Sequence, residues 1–255
     1  MIRLDARGLT LRTGTRTLIH DINIEFAAGE NWAILGANGS GKTTLLLALA
    51  GLRAADAGTV RLDQVPLQEV SRRERARQLG LLFQDAVSAF PSTVREQVLS
   101  GRHPHLGRWQ EEGPDDFSAC DAALAALGLQ PLAARTLQTL SGGERRRVDV
   151  ATLLAQDPPI CLLDEPSNHL DPHHQLTLVQ LAAQRATRAN HLNLFVLHDV
   201  NLAARCCSHA LLLRADGSHQ HGRIQTVLSA QNLEAVYGCA MRELRAEGAR
   251  FFHPA

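Results

Sequence analysis

Apolar residues recur at alternate positions near the start of the chain and at every third or fourth position in its middle. That change of period outlines the fold. From 2 to 11 the alternation is loose, with Ile2, Leu4, Leu9 and Leu11 apolar. From 18 to 26 it is regular: Leu18, Ile22, Ile24 and Phe26 share one face, and Asp21, Asn23 and Glu25 the other. Two strands are predicted, antiparallel about a turn at Gly14. Largely apolar runs at 31–35, 79–83, 160–163, 192–197 and 210–213 predict buried strands, and 58–62 a further short one. Helical patterns cover 43–51, 71–78, 172–188 and 200–206. Between about 85 and 159 strand signals vanish, and helices are predicted at 94–99, 116–127 and 141–155. The pattern describes an α/β fold: a mainly parallel sheet covered on both faces, an N-terminal antiparallel part and an inserted helical part. Residues after Tyr237 mix charges and predict at best a short helical tail.

One junction between strand and helix carries chemistry. Gly36-Ala37-Asn38-Gly39-Ser40-Gly41-Lys42-Thr43-Thr44 matches the phosphate-cradling loop pattern without a mismatch. The apolar run 31–35 precedes it and the helix 43–51, ending at Gly51, follows, which is the context the pattern requires. Loop amides and the helix N-terminus then point at an anion. Lysine and arginine together number 26, and Lys42 is the only lysine. A compact ammonium stands where a narrow loop admits a single cation to the β- and γ-phosphates; a planar guanidinium is too wide.

Two further stretches fit a phosphate ligand. The run 160–163 ends in Asp164-Glu165. Two adjacent carboxylates at the end of a buried strand are costly without a partner. Magnesium suits Asp164 together with the Thr43 hydroxyl, and Glu165 is then placed to orient or deprotonate a water. Leu140-Ser141-Gly142-Gly143-Glu144 opens a helix. Ser141 and Glu144 form a capping-box pattern. Gly142 and Gly143 weaken the first turn by roughly 1 kcal/mol each relative to alanine, which makes sense where an anion must approach the backbone closely.

Composition narrows the field. Acids and bases balance at 26 each, so the chain carries no overall charge that would attract nucleic acid or an anionic membrane. No apolar run reaches the roughly 18 residues of a membrane span, and the N-terminal residues lack a secretory pattern. Five cysteines, an odd number without a CxxC pair, predict free thiols in a reducing compartment. The twelve histidines, including His103, His105, His173, His174, His219 and His221, show no zinc-ligand spacing.

In this order the motifs resemble those of the nucleotide-binding subunits of ATP-binding cassette (ABC) transporters. Gln84, Pro166-Ser167-Asn168-His169-Leu170-Asp171 and His198 extend the likeness over about residues 2–240. The stretches 93–105 and 198–205 are similar to those of importers of ferric siderophores, haem and cobalamin. The resemblance implies one ABC ATPase domain over 1–240, with 85–159 inserted and 241–255 as a tail. It implies ATP and Mg2+ as cofactors. Gly36, Ala37, Asn38, Gly39, Ser40, Gly41, Lys42, Thr43 and Thr44 would hold phosphates, and Thr43, Gln84 and Asp164 the metal. Glu165 would be the base, with Gln84 and His198 beside the reaction. Ser141, Gly142 and Gly143 would bind the γ-phosphate of ATP held by a second copy, and Asp171 would link the two sites. The implied partners are a second copy, an integral-membrane permease and, indirectly, a periplasmic binding protein, with no nucleic acid. The implied location is the cytoplasmic face of a bacterial inner membrane. The alternatives are an importer of another substrate, such as molybdate, or an ATP-driven clamp on DNA or ribosomes; a small-molecule kinase would leave 140–144 unexplained.

The sequence departs from the family in two places. An aromatic residue usually stacks on adenine before the turn at Gly14; here Thr13 stands there, which predicts either weaker adenine discrimination or stacking by the plane of Arg12 or Arg16 instead. Asp149 puts an acid within the helix 141–155, where an apolar or small residue is commoner.

Overall fold

The computed structural model describes residues 2–84, 91–168, 172–246 and 249–255. The chain divides into two compact units, one formed by 1–70 with 180–255 and the other by 71–179.

The first unit begins with β1 (Arg3–Thr13) and β2 (Arg16–Ala27), antiparallel about Gly14 as the alternation predicts. Then come β3 (Asn31–Gly36), α1 (Lys42–Leu49), β4 (Ala57–Leu62) and the short β5 (Val65–Pro66). Strands β2, β1, β4 and β5 form one antiparallel sheet in that order.

The second unit holds α2 (Arg72–Gln78), β6 (Leu79–Leu82), α3 (Val94–Leu99), α4 (Pro114–Ala126), α5 (Gly142–Gln156) and β7 (Ile160–Asp164). Strands β6 and β7 pair in parallel, and α5 packs on α3 and α4. Thr93 and Ser141 each close a capping box with the glutamate three residues on, so α3 and α5 start where their first-turn amides find side-chain acceptors. Arg102 Nε bonds Asp116 Oδ1 at 2.9 Å, and its Nη1 bonds the Ala155 carbonyl at 2.8 Å. Helix α6 (Pro172–Ala189) crosses the division in the chain.

The first unit resumes with β8 (Leu192–Val196), α7 (Val200–Cys206), β9 (His209–Leu213), β10 (His219–Arg223), α8 (Ile224–Val227), α9 (Ala230–Tyr237), β11 (Met241–Ala246) and β12 (Ala249–Pro254). Strand β3 lies between β8 and β9, parallel to both, and β10 adds an antiparallel edge to β9. Every residue of β3, β7 and β8 is buried, as their largely apolar runs require. The two amides in these runs are paired. Asn193 Nδ2 donates to Asn31 Oδ1 at 2.8 Å and to the Ala182 carbonyl at 2.7 Å, and Asn31 Nδ2 donates to the Ala183 carbonyl at 3.2 Å, fastening the strands to α6.

The end of the chain corrects the expectation of a helical tail. Strands β11 and β12 form an antiparallel hairpin. Phe252, 4% exposed, anchors it. Asn201 of α7 replaces a strand partner: its Oδ1 accepts from Phe252 N at 2.7 Å, and its Nδ2 donates to Phe252 O at 3.0 Å. Arg250 pairs with Glu243 and donates to the Gln225 and Leu228 carbonyls. Partners distant in sequence stabilise these strands, so local periodicity did not announce them. Strand β10, His-Gln-His-Gly-Arg, was likewise missed: it has no apolar period and exists as an edge paired to β9.

Candidate functional site

In the first unit the phosphate-type loop joins β3 to α1 as its sequence predicts. Gly39 and Gly41 take φ of 75° and 98°, in the left-handed region that suits glycine. Gly36 has no room for a side chain, because a Cβ there would stand 2.5 Å from Ser40 Oγ and 2.7 Å from the Leu213 carbonyl. The loop is therefore an open backbone cradle. The N-cap of α1 is Gly41, with no side-chain hydrogen bond to the first-turn amides. Ser40 Oγ is buried without a hydrogen-bond partner among the described residues. Lys42 is 6% exposed, and its Nζ donates to the Gly36 and Ala37 carbonyls at 2.8 and 3.1 Å. Uncapped amides, an orphan hydroxyl and an ammonium folded onto the loop fit a polyanion. Thr43 is exposed at the helix start. His198 follows the end of β8, the strand beside β3, so it lies at the same carboxyl edge as the loop.

The expected platforms for a base separate cleanly. The Arg16 guanidinium lies 3.9 Å from where a Cβ on Gly39 would be, with its Nη2 donating to the Ala215 carbonyl at 3.2 Å. At Arg12 it is the backbone that is engaged, its N–H donating to Asp56 Oδ2 at 2.8 Å.

In the second unit Gln84, Asp164 and Glu165 come together at the ends of β6 and β7. Gln84 Nε2 donates to Glu165 Oε2 at 3.1 Å, and Asn168 Nδ2 donates to the same oxygen. Glu165 is 7% exposed and holds φ at 47°, an uncommon value for a residue with a Cβ. In this unit the Asp164 carboxylate and the Gln84 amide oxygen are hard donors of the kind Mg2+ takes; the Thr43 hydroxyl of the first unit is a donor of the same kind. Ser141, Gly142 and Gly143 stand at the start of α5. There Ser141 Oγ accepts from Glu144 N at 3.2 Å, and Glu144 Oε2 accepts from Ser141 N at 2.8 Å. The Ser141 N–H and hydroxyl, both donating to Glu144 Oε2, hold the Glu144 carboxyl below its ordinary value. Asp171 lies outside the described residues.

Arg146 is the residue that the sequence reading missed. It is 4% exposed in the interior of α5. Its Nη1 donates to Phe83 O at 2.5 Å and Gln84 O at 3.4 Å. Its Nη2 donates to Asp164 O at 2.6 Å and Glu165 O at 2.8 Å, and its Nε to Pro166 O at 3.3 Å. One guanidinium thus ties together the ends of both strands that carry the candidate residues. The signal was available: Arg146, Val150 and Leu153 fall at i, i+4 and i+7 on one buried helix face.

Asp149 now has a physical description. Burial pushes its carboxyl up to about 6 from 3.8, against the opposing pull of Arg146 and Arg145. The folded protein therefore holds this proton more tightly than the unfolded chain. The associated stability is fully present below about pH 4 and is lost as pH rises through about 6. Asp149→Asn is expected to flatten that decline and raise stability at neutral pH by up to about 3 kcal/mol. Urea unfolding of both proteins across this range checks it; parallel pH profiles would refute it.

The chain is similar to known proteins over most of its length. The family model described as ABC transporter matches residues 19–168. The hemin import ATP-binding protein HmuV of Pseudomonas entomophila is 42% identical over 240 residues, covering 92% of each chain. The ferric enterobactin transport ATP-binding protein FepC of Escherichia coli K12 is 38% identical, covering 92% of this chain and 87% of that one. A structure described as an inward-facing transporter of the metal-chelate type aligns with a TM-score of 0.85 at 27% identity, covering 100% of this chain and 98% of its own. The chain belongs to the ABC transporter family, whose ATPase subunits hydrolyse ATP to drive transport.

Proposed function

We propose that this chain is the ATP-hydrolysing subunit of an importer for a metal chelate of the haem, ferric siderophore or cobalamin class. The observation that carries this reading is identity of about two fifths, over nearly the whole chain, to ATP-binding subunits named for hemin and ferric enterobactin import. No helix among the described residues is long and apolar enough to cross a membrane. Translocation therefore falls to separate permease subunits, with this chain peripheral on the cytoplasmic face of the inner membrane and a periplasmic binding protein delivering cargo.

Residue roles follow from geometry and family together. Gly36 to Thr44 hold the phosphates, and the Lys42 ammonium turns from the Gly36 and Ala37 carbonyls to phosphate oxygens, which carry the full negative charge that the carbonyls lack. Thr43, Asp164 and Gln84 would hold Mg2+, which would supply positive charge against the phosphates. Glu165 accepts the proton of the attacking water, kept in place by Gln84 and Asn168. His198 donates to the γ-phosphate. One chain carries a phosphate loop and a separate helix start suited to an anion, so two copies clamp ATP head to tail. Ser141, Gly142 and Gly143 of each copy face the nucleotide of the other, and Asp171 connects the sites.

Arg16 takes the place of the missing aromatic. Its plane at the loop tip is the one available to lie on the base, and such stacking contributes roughly 1–3 kcal/mol. Arg16→Ala is therefore expected to weaken ATP binding by about tenfold, and Arg12→Ala to leave it unchanged. Titration with a fluorescent ATP analogue and competing ATP or GTP measures both; equal effects would reject Arg16 as the platform.

Uptake tests the function as a whole. With its cognate permease, the complex in vesicles is expected to accumulate haem, a ferric siderophore or cobalamin with ATP. Molybdate uptake, or hydrolysis that none of the chelates couples to, would overturn the reading.

A further inference from the structure

The C-terminal hairpin supplies none of the candidate phosphate or metal ligands, yet it grips the segment that carries His198. On one side of His198 the chain is fixed to β3, since Leu197 N donates to the Ile34 carbonyl at 3.3 Å. On the other side Asp199 caps α7, its Oδ1 accepting from Asn201 N at 2.7 Å and from Leu202 N at 3.1 Å. His198 itself is exposed at the carboxyl edge of the sheet. Its position therefore depends on how firmly the start of α7 is held.

The end of the chain does the holding. Helix α7 packs on β12, and α9 packs on β11. Asn201, in the first turn of α7, pairs with both backbone groups of Phe252: Oδ1 accepts from its N–H at 2.7 Å, and Nδ2 donates to its carbonyl at 3.0 Å. A side-chain amide presents a donor and an acceptor side by side, as a strand partner does. Helix formation gives no reason for asparagine at this position, because it is a weak helix former and Asp199 already caps α7. Phe252 is a firm anchor. It is buried, its ring lies 5.1 Å from the Arg250 guanidinium, and Arg250 is bonded to Glu243 and to the Gln225 and Leu228 carbonyls. Tyr237, the only tyrosine of the chain, ends α9 and faces the same segment. Its hydroxyl is buried without a hydrogen-bond partner among the described residues. Burial, and after it the charge of Asp199, push the phenol up to about 12, against the pull of the Gly36 N–H. The C-terminal elements thus reach the residue after His198 and the first residue of the phosphate loop.

We propose that Asn201 is a positioning residue for hydrolysis: by tying the first turn of α7 to Phe252 it sets the His198 imidazole at the γ-phosphate, and the C-terminal hairpin is the anchor of that tie. This rests on the reading of His198 as the donor to the γ-phosphate.

A double-mutant cycle on ATP hydrolysis by the full chain tests it. Asn201→Ala leaves the phosphate loop untouched, so KM for ATP is expected to stay within about threefold while kcat falls about ten- to a hundredfold, the cost of displacing a reacting group by about 1 Å. His198→Ala alone should lower kcat by at least as much. In the His198→Ala background, Asn201→Ala should change kcat by less than about twofold, because the imidazole it positions is gone. Asn201→Gln keeps both amide groups on a longer stem and should lose less kcat than Asn201→Ala. Thermal unfolding of each variant runs beside the kinetics. An equal fall in kcat in both backgrounds would overturn the proposal, as would a lowered Tm with kcat unchanged, since Asn201 would then only fasten the hairpin. Full hydrolysis by His198→Ala would instead overturn the reading of His198 itself. Should Asn201→Ala not fold, the same cycle with Asn201→Gln decides.

Discussion

Glu165→Gln is expected to bind ATP normally and hydrolyse it at least a hundredfold more slowly. The substitution preserves size and one hydrogen-bond acceptor, so Gln84 and Asn168, which converge on Glu165 Oε2, keep a partner. It removes the group able to take a proton from water, and general-base catalysis contributes about 10² to 10⁴ in rate. Binding and hydrolysis should therefore separate, and ATP should accumulate on the paired form of the protein. Single-turnover hydrolysis beside equilibrium ATP binding measures the two. A normal rate in the variant would remove Glu165 from the role of base. A loss of binding would place its carboxylate in nucleotide affinity instead.

Arg146 carries the second large effect. Its guanidinium reaches the carbonyls of Phe83, Gln84, Asp164, Glu165 and Pro166 from a buried position. Arg146→Ala leaves those acceptors without their donor, at about 1–3 kcal/mol for each that water cannot reach. Against a total stability of about 5–15 kcal/mol for a typical domain, such losses threaten the whole fold. Arg146→Lys is the more informative change. It keeps the charge but loses the planar fork, so it satisfies only some of the carbonyls. Gln84 and Glu165 then lose the common brace that sets their spacing. The lysine variant is expected to fold with a lowered Tm, keep its KM for ATP within about threefold, and lose kcat by about ten- to a hundredfold. Thermal unfolding and steady-state hydrolysis provide both readouts. A variant with the Tm of the wild type and full kcat would show that the brace is dispensable.

The readable parts of this fold were those governed by local chemistry. The loop 36–44 declares itself through glycines at positions that need left-handed backbone and through a single lysine. The apolar runs that become β3, β7 and β8 have no polar face because both of their faces are covered. Helices α3 and α5 begin at capping boxes visible in the sequence. What escaped depended on distant partners. Strands β11 and β12 exist because Asn201 and Arg250 satisfy them from elsewhere in the chain. Strand β10 has no apolar period of its own. Arg146 sits among three consecutive arginines, 145–147, and its spacing with Val150 and Leu153 places it on the buried face of α5. Asp149, three residues further on, looked anomalous, since the sequence does not show how much of a helix is covered.

The central claim is that ATP is held between two copies of this subunit. A structure of the Glu165→Gln protein grown with Mg–ATP tests it most directly. The account predicts two nucleotides per pair of chains, each with Lys42 of one copy and Ser141 of the other on the same γ-phosphate. A pair in which Ser141 faces solvent while ATP fills the loop of a single copy would contradict it.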